Sequence, residues 1–425
     1  MSTPIEEDPE VLAHLIQLAA SNHDVTALRP LLRQGSANVR DSDTGYTPLH
    51  SAIAACEDDE DSHGVDKENH VNGHVDADGV TNGETTDAKA PEMTDAAKTV
   101  KLLLQQGAIW NDLNNDNETP GCIALKLHLN DLYEIMVDAG VRAELLLNRL
   151  DEYEQLKDEE DSETESGAAL SSSNHDEPNP DITLQTPEGD ADTPVLATNE
   201  AEPDEKLGNE DFLNSSLRFQ GDRILDENGN GVMMAWESSI MKRTADLLCP
   251  DPGFQVLNVG HGMGIVDNFF QTKLPATHHI IEAHSAVLQR MRRDGRFDKP
   301  NVVIHEGRWQ DVVPHMMEQG ILFDAIYFDT FAEDYKAFRD FFSDFLVGLL
   351  KDQGKCGFFN GLGADRQICY DVYTKVVEMD LFEAGFDTEW EVIPVPRMDD
   401  CEWAGVKRKY WTLSEYKLPI CTFIG

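Results

Sequence analysis

"VLNVGHGMGIVDNFF", residues 256–270, begins as an apolar strand, breaks at Gly260, Gly262 and Gly264, and resumes with apolar residues at helical spacing. A glycine-rich turn between a strand and a helix lets bare backbone N–H groups approach a ligand closely. Three ligand classes use such a turn: phosphates, dinucleotides and S-adenosylmethionine. No Walker lysine follows the glycines, which sets nucleoside triphosphates aside. Glu282 ends the next predicted strand, 22 residues after Gly260. A carboxylate there accepts hydrogen bonds from both hydroxyls of an adenosine ribose and disfavours a 2′-phosphate. NAD and S-adenosylmethionine both remain open.

Working outward, strand and helix patterns alternate from Asp211 to Gly425. The strand candidates are "FQVLNVG", "THHIIEA", "NVVIHEG", "FDAIYFDT", "KCGFFNG", "EWEVIPVP" and "RKYWTLSEYKLPICTF", with helical stretches between the first five. Seven strands, the last two joined without an evident helix, fit an α/β methyltransferase sheet of the Rossmann-like class I type better than an all-parallel dinucleotide fold. The third strand ends in "EGRWQD", where Trp309 is placed to stack on adenine and Gln310 or Asp311 to bond its edge. Asp329 stands at the carboxyl end of the fourth, the edge where such sheets bind ligands; the alternative is a helix cap. Upstream, "GVMMAWESSIMKRTADLL" reads as a helix whose Met233, Trp236 and Met241 flank the cofactor or fill the core. Glu237, an acid amid apolar residues, needs a cationic partner if buried. With Asp329 it would form a planar, charge-assisted clamp on one guanidinium.

The N-terminal third follows another pattern. "DSDTGYTPLHSAIAA" carries the ankyrin signature: Thr47 and Pro48 start a helix, Leu49 and Ala52 pack, and His50 braces the turn. "LRPLLRQGSANVRD" reads as the end of an earlier repeat, and Thr119 and Pro120 open a later one. Thr119 stands 72 residues after Thr47, so one repeat of about 33 leaves roughly 39 extra residues. They correspond to the polar insertion 57–93, expected to be a disordered loop, as is the acidic linker 151–210 with its 20 acidic and 2 basic residues. Residues 1–150 are thus expected to form an all-α ankyrin-like repeat domain that folds independently and binds a protein partner or caps the second domain. His63, His70 and His74 lie in the insertion, where nothing apolar would fix a metal site.

The 80 acidic residues outnumber the 34 basic ones, for a formal charge of −46. That field repels nucleic acid and anionic lipid and steers basic partners inward. Seven scattered cysteines without a CxxC pair point to a reducing compartment, the cytoplasm with the nucleus also open. No apolar run approaches the roughly 18 residues of a membrane-spanning helix, and the acidic "MSTPIEEDPE" is unlike a signal peptide.

In combination, "VMMAWESSIM", "VLNVGHGMGI", "IIEAH", "EGRWQDV", "FDAIYFDT" and "LLKDQGKCGFFN" closely resemble guanidinoacetate N-methyltransferase. With ankyrin-like repeats and an acidic linker in front, the chain is similar to the fungal protein-arginine N-methyltransferases of the δ-nitrogen, called type IV. The resemblance implies S-adenosyl-L-methionine as cofactor. It assigns Gly260, His261, Gly262, Met263, Gly264, Ile265 and Val266 to the methionine part, Glu282, Ala283 and His284 to the ribose, and Trp309 and Gln310 to adenine. Met233 and Met241 match cofactor-contacting methionines, Phe219 an aromatic cover, and Glu237 and Asp329 the two guanidino-binding acids. Asp329 is the expected base and Glu237 the group holding the terminal nitrogens.

Departures from the pattern bear on substrate. Asn258 replaces an acid in the first strand, and Phe331 a tyrosine. "FNGLGAD" replaces the stretch that holds guanidinoacetate's carboxylate, which favours an arginine in a polypeptide, with a basic ribosomal protein implied by the family. Guanidinoacetate is methylated on its chain-bearing nitrogen, and the equivalent atom in arginine is the δ-nitrogen. Two alternatives remain at this point: a small-molecule guanidinoacetate-type enzyme, and an ankyrin interaction protein with a lapsed catalytic domain.

Overall fold

The computed structural model describes residues 8–56, 94–150 and 208–425. The insertion at 57–93 and residues 151–207 of the expected linker lie outside the described residues. The N-terminal part is helical: α1 (Pro9–Ser21), α2 (Val25–Leu31), α3 (Pro48–Ala54), α4 (Asp95–Gln105), α5 (Pro120–Lys126) and α6 (Asn130–Leu150). Thr47 and Thr119 cap α3 and α5 in the same way, each side chain accepting the N–H three residues on, with proline next in line. The His50 ring lies 2.8 Å from the Thr47 hydroxyl through Nδ1 and donates from Nε2 to the Glu118 carbonyl at 3.0 Å. It ties the start of α3 to the loop before α5.

Past α7 (Asn209–Asn214), a small antiparallel sheet is built from β1 (Arg218–Gln220), β2 (Arg223–Leu225) and β3 (Gly231–Met234). The helix expected over 231–248 is therefore divided. Met233 and Met234 pair with Ile224 and Arg223, a tight turn spans Ala235–Glu237, and only α8 (Ser238–Leu248) is helical. A short apolar run such as "GVMM" satisfies a strand as well as a helix, and pairing with β2 decides it.

The main sheet contains β4 (Gln255–Val259), β5 (Thr277–Glu282), β6 (Val302–Glu306), β7 (Phe323–Phe328), β8 (Leu350–Phe358), β9 (Phe386–Pro394) and β10 (Glu415–Phe423), ordered β6-β5-β4-β7-β8-β10-β9. The first five in that order run parallel, and β10 is antiparallel to both its neighbours. Helices α9 (Ile265–Thr272), α10 (Ser285–Asp294) and α11 (Trp309–Glu318) make the first crossovers. They are followed by α12 (Tyr335–Asp340), which continues through a wide turn at Phe341–Phe345 into α13 (Leu346–Leu349), and by α14 (Gln367–Glu383). The last expected strand is shorter than its apolar pattern, because residues 395–414 form a loop and pairing begins at Glu415. Strand order reverses between β4 and β7, the switch point where sheets of this kind open a ligand crevice.

The N-terminal helices and the sheet domain are packed against each other. Ile368, Cys369, Val372 and Val376 of α14 belong to the same buried apolar cluster as Leu49, Ile123 and Met136 of the N-terminal helices. The Tyr133 hydroxyl donates to Asp371 at 2.7 Å and the Tyr373 hydroxyl to Glu144 at 3.2 Å across the same boundary. An acidic tether sets how far apart two bodies can lie, and apolar surface on both decides that they dock.

Candidate cofactor and guanidinium site

The glycine turn after β4 is built to admit no side chain. Gly260 has φ +95°, and a Cβ there would lie 1.9 Å from the Asp329 carbonyl oxygen. Backbone N–H groups of the turn converge on Glu282. His261 and Gly262 donate to Oε2 at 3.0 and 3.3 Å, and His284 to Oε1 at 2.7 Å. Only 7% exposed, this carboxylate both organises the turn and faces the cavity.

Below the turn, the buried Asp267 meets His261 Nδ1 at 2.7 Å and accepts from Asn258 Nδ2 at 2.9 Å. Burial alone would raise its pKa, yet His261 and His278 hold it down at about 2. Asn258 also donates to the Gly260 carbonyl at 2.8 Å, so the residue that departs from the acidic pattern braces the turn from inside.

One cavity at the switch point collects Met233, Glu237, Gly260, Gly262, Glu282, Ala283, His284, Trp309, Gln310 and Asp329. His261 and Met263 line a small adjoining hollow instead. Gly264 leaves room for the His261 ring, and Ile265 and Val266 open α9, with Val266 in the core. Met241 is fully buried on the core face of α8 and does not line the cavity. Phe219 turns from β1 towards α10, where the Arg290 guanidinium sits 4.8 Å above its ring. Both are core or edge packing, set by helical period and strand alternation.

Trp309 forms a wall and not a free stacking face. Its ring is 4% exposed and meets Phe328, Phe341 and Phe345 edge-on. Its indole N–H, the Gln310 amide and the Thr330 hydroxyl all donate to Glu333. Glu333 escaped the sequence reading because an acid in "FAEDY" resembles an ordinary helix-start residue. Phe212, packed against His284 and Phe331 at 5.1 and 4.8 Å, escaped it too.

Two orphaned atoms test what the cavity can hold. His284 Nδ1 accepts the Ala286 N–H at 3.2 Å, so Nε2 carries the proton, and it has no acceptor among the described residues. Asp329 Oδ2 is a buried acceptor that makes no hydrogen bond of ordinary geometry there, although the Tyr327 hydroxyl, itself unpaired, is close enough to pull the Asp329 pKa down. Leaving such groups unpaired is costly, so both point to a ligand. The donor set fits S-adenosylmethionine: Glu282 and the His284 Nε2–H for the ribose, and bare glycine backbone beside it.

The acids lie at the other end. Glu237, 3% exposed, receives the Tyr410 O–H at 2.5 Å and the Met234 N–H at 3.1 Å, both at Oε1. Burial pushes its pKa up to about 7, against the pull of those two bonds. Burial, and then the Glu237 charge, raises Asp329 well above the usual carboxylate range. Two reluctant acids sharing one cavity make it a receptor for a cation.

Residues 211–410 match the family model of guanidinoacetate N-methyltransferase. Over 100% of both chains, protein arginine N-methyltransferase 2 of Emericella nidulans is 52% identical to this one, and that of Aspergillus fumigatus is 53% identical over 96% of each. The chain belongs to the protein arginine N-methyltransferase 2 family. A Saccharomyces cerevisiae member is 36% identical over 79% of this chain and 80% of its own. Among solved structures, M. jannaschii TYW2 in complex with AdoMet gives a TM-score of 0.31 at 12% identity, over 49% of this chain and 84% of that one. Glu237, Glu282, Asp329 and Tyr410 all fall within the matched residues.

Replacing Glu282 with alanine is expected to weaken S-adenosylmethionine binding by about ten to a hundredfold, the worth of charge-assisted bonds. Because three backbone donors lose their acceptor, the melting temperature should also fall. Calorimetry showing an unchanged dissociation constant would remove Glu282 from the ribose site.

Proposed function

We propose that this chain transfers a methyl group to the δ-nitrogen of an arginine in a basic protein, a ribosomal protein being the class its family resemblance favours. Family membership supports the protein-arginine methyltransferase activity and the S-adenosylmethionine cofactor. The observation that carries the δ-position is the pair of buried carboxylates, Glu237 and Asp329, in one cavity beside the glycine turn, within a match to an enzyme of guanidinoacetate.

S-adenosylmethionine, when bound, supplies an electrophilic methyl on a sulfonium. Everything else falls to the chain. Gly260 and Gly262 bring backbone close to the ligand, and Glu282 with His284 fixes its sugar. Glu237 accepts hydrogen bonds from the terminal guanidino nitrogens. A guanidinium has no free lone pair, so its attacking nitrogen must lose a proton, and Asp329 Oδ2, which makes no hydrogen bond of ordinary geometry, is the acceptor. A raised carboxyl is the stronger base for it.

The pH dependence follows. Only ionised carboxyls hold a cation, and both pKa values are raised, so kcat/KM should climb as pH rises through about 7, where Glu237 ionises, and keep climbing above it as the more strongly raised Asp329 follows. A profile flat from pH 6 to 8 would contradict the pair.

The N-terminal helices are best read as ankyrin-like pairs. Equivalent Thr caps on α3 and α5 and the His50 bridge between successive loops support that reading. We propose that they select the protein substrate or a partner. Among the described residues no helix is long and apolar enough to cross a membrane. Tandem mass spectrometry of the product tests the whole proposal, with free guanidinoacetate as competitor. Methylation confined to terminal nitrogens would refute the δ-assignment, and preferential use of guanidinoacetate would refute the protein substrate.

A further inference from the structure

We infer that Tyr410 is a positioning residue for the guanidinium site, locking one oxygen of Glu237 so that the other is presented to the substrate. The inference rests on the arginine-binding role of the acid pair proposed above.

A proton inventory gives the direction of each bond. The Trp236 indole N–H can only donate, and it lies 3.0 Å from the Tyr410 oxygen. That oxygen accepts, and its own single proton is left for Glu237 Oε1 at 2.5 Å. The Met234 N–H donates to the same Oε1, so Oε2 has no donor among the described residues. A carboxylate held at one oxygen by two donors keeps its plane, and a planar guanidinium needs that plane fixed.

Tyr410 is itself held. It belongs to the loop 395–414, which crosses from the main sheet to the small one. Arg223, on β2 and nearly buried, donates to the Glu402 and Ala404 carbonyls at 2.8 and 3.1 Å. The Lys407 N–H donates to Gly229 at 2.8 Å, and the Thr412 N–H to Ala364 at 3.0 Å. A Cβ on Gly231 would come within 2.8 Å of the Tyr410 ring, so β3 leaves that space for it. The ring also meets Trp403 edge-on at 5.2 Å. The ionisable groups that face Glu237 are Asp329 beyond β7, Tyr327 on β7, Tyr416 on β10 and Tyr410.

The test uses the full chain with Tyr410→Phe, which removes only the hydroxyl. A bond to a charged group is worth about one to two powers of ten. KM for an arginine-bearing protein should rise by about ten to a hundredfold, with the dissociation constant of S-adenosylmethionine unchanged. The acid limb of kcat/KM should move up by about 1 to 2 pH units, because the donor that favours the carboxylate is gone. A readout independent of turnover is the infrared titration of the Glu237 carboxyl in the free protein, assigned by difference from Glu237→Gln. Its midpoint should move the same way. Trp236→Phe, which frees the hydroxyl to turn, should give a smaller shift of the same sign and serves if Tyr410→Phe does not fold. An unmoved midpoint with an unmoved KM overturns the inference, as does a lower melting temperature accompanied by neither. If the wild type methylates no arginine while the midpoint still shifts, the functional reading falls and the Tyr410 latch stands.

Discussion

Asp329→Asn is expected to lower kcat by about two to four orders of magnitude, the range for loss of a positioned base, while S-adenosylmethionine affinity changes by only a fewfold. The substitution is close to isosteric. It keeps the Asp329 N–H, which donates to Val259 at 2.8 Å, and the carbonyl that crowds Gly260, so the turn keeps its shape. What disappears is the orphaned acceptor Oδ2 and half of the charge that offsets the guanidinium. Glu282, the glycines and His284 are untouched, and cofactor binding should be nearly blind to the change. Glu237→Gln should act differently, raising KM as well, because the holder and not the base is altered. Single-turnover kinetics separate the two: a slow chemical step for Asp329→Asn, weak substrate capture for Glu237→Gln. A kcat loss under tenfold in Asp329→Asn would take the base role from that residue.

The site's readable parts share a feature: each lies at the end of a strand or in a turn that one short motif specifies. Gly260, Glu282 and Asp329 sit at the carboxyl ends of β4, β5 and β7, and alternation of apolar strands and helices is enough to align those ends. Tyr410 and Glu237 are 173 residues apart, and no local pattern brings a loop tyrosine back to the first acid. Glu333 is likewise visible only once three donors from two segments converge on it. Met241 and Phe219 fail for the opposite reason. A methionine in a helix and an aromatic in a strand have a rotational setting that tertiary packing alone fixes, and packing turns both from the cavity. The division of "GVMMAWESS" between strand and helix is of the same kind, decided by a partner strand.

The largest effect on stability is expected from removing the N-terminal helices. A fragment of residues 208–425 should melt more than about 10 °C below the full chain, or aggregate, and should bind S-adenosylmethionine poorly. Helix α14 is apolar on two sides. Val377 and Leu381 face the main sheet, whereas Ile368, Val372 and Val376 are buried with the N-terminal helices at 1, 0 and 0% exposure. Exposing three such side chains costs roughly 1.5 to 3 kcal/mol each, a sum comparable with the stability of a whole domain at about 5 to 15 kcal/mol. The contact is also close: a Cβ on Gly121 would fall 1.9 Å from Ile368 Cδ1, and one on Gly140 2.7 Å from Val372 Cγ2. Gly121→Leu in the full chain should therefore reproduce part of the loss by wedging α5 off α14. The effect reaches the site through Asn360, whose side-chain amide donates to the hydroxyls of Tyr370 and Thr374 on α14 and whose neighbour Phe359 lines the cavity. A fragment that melts cooperatively within about 3 °C of the full chain, with undiminished calorimetric binding, would show that α14 tolerates the exposure and that the helices serve recognition alone.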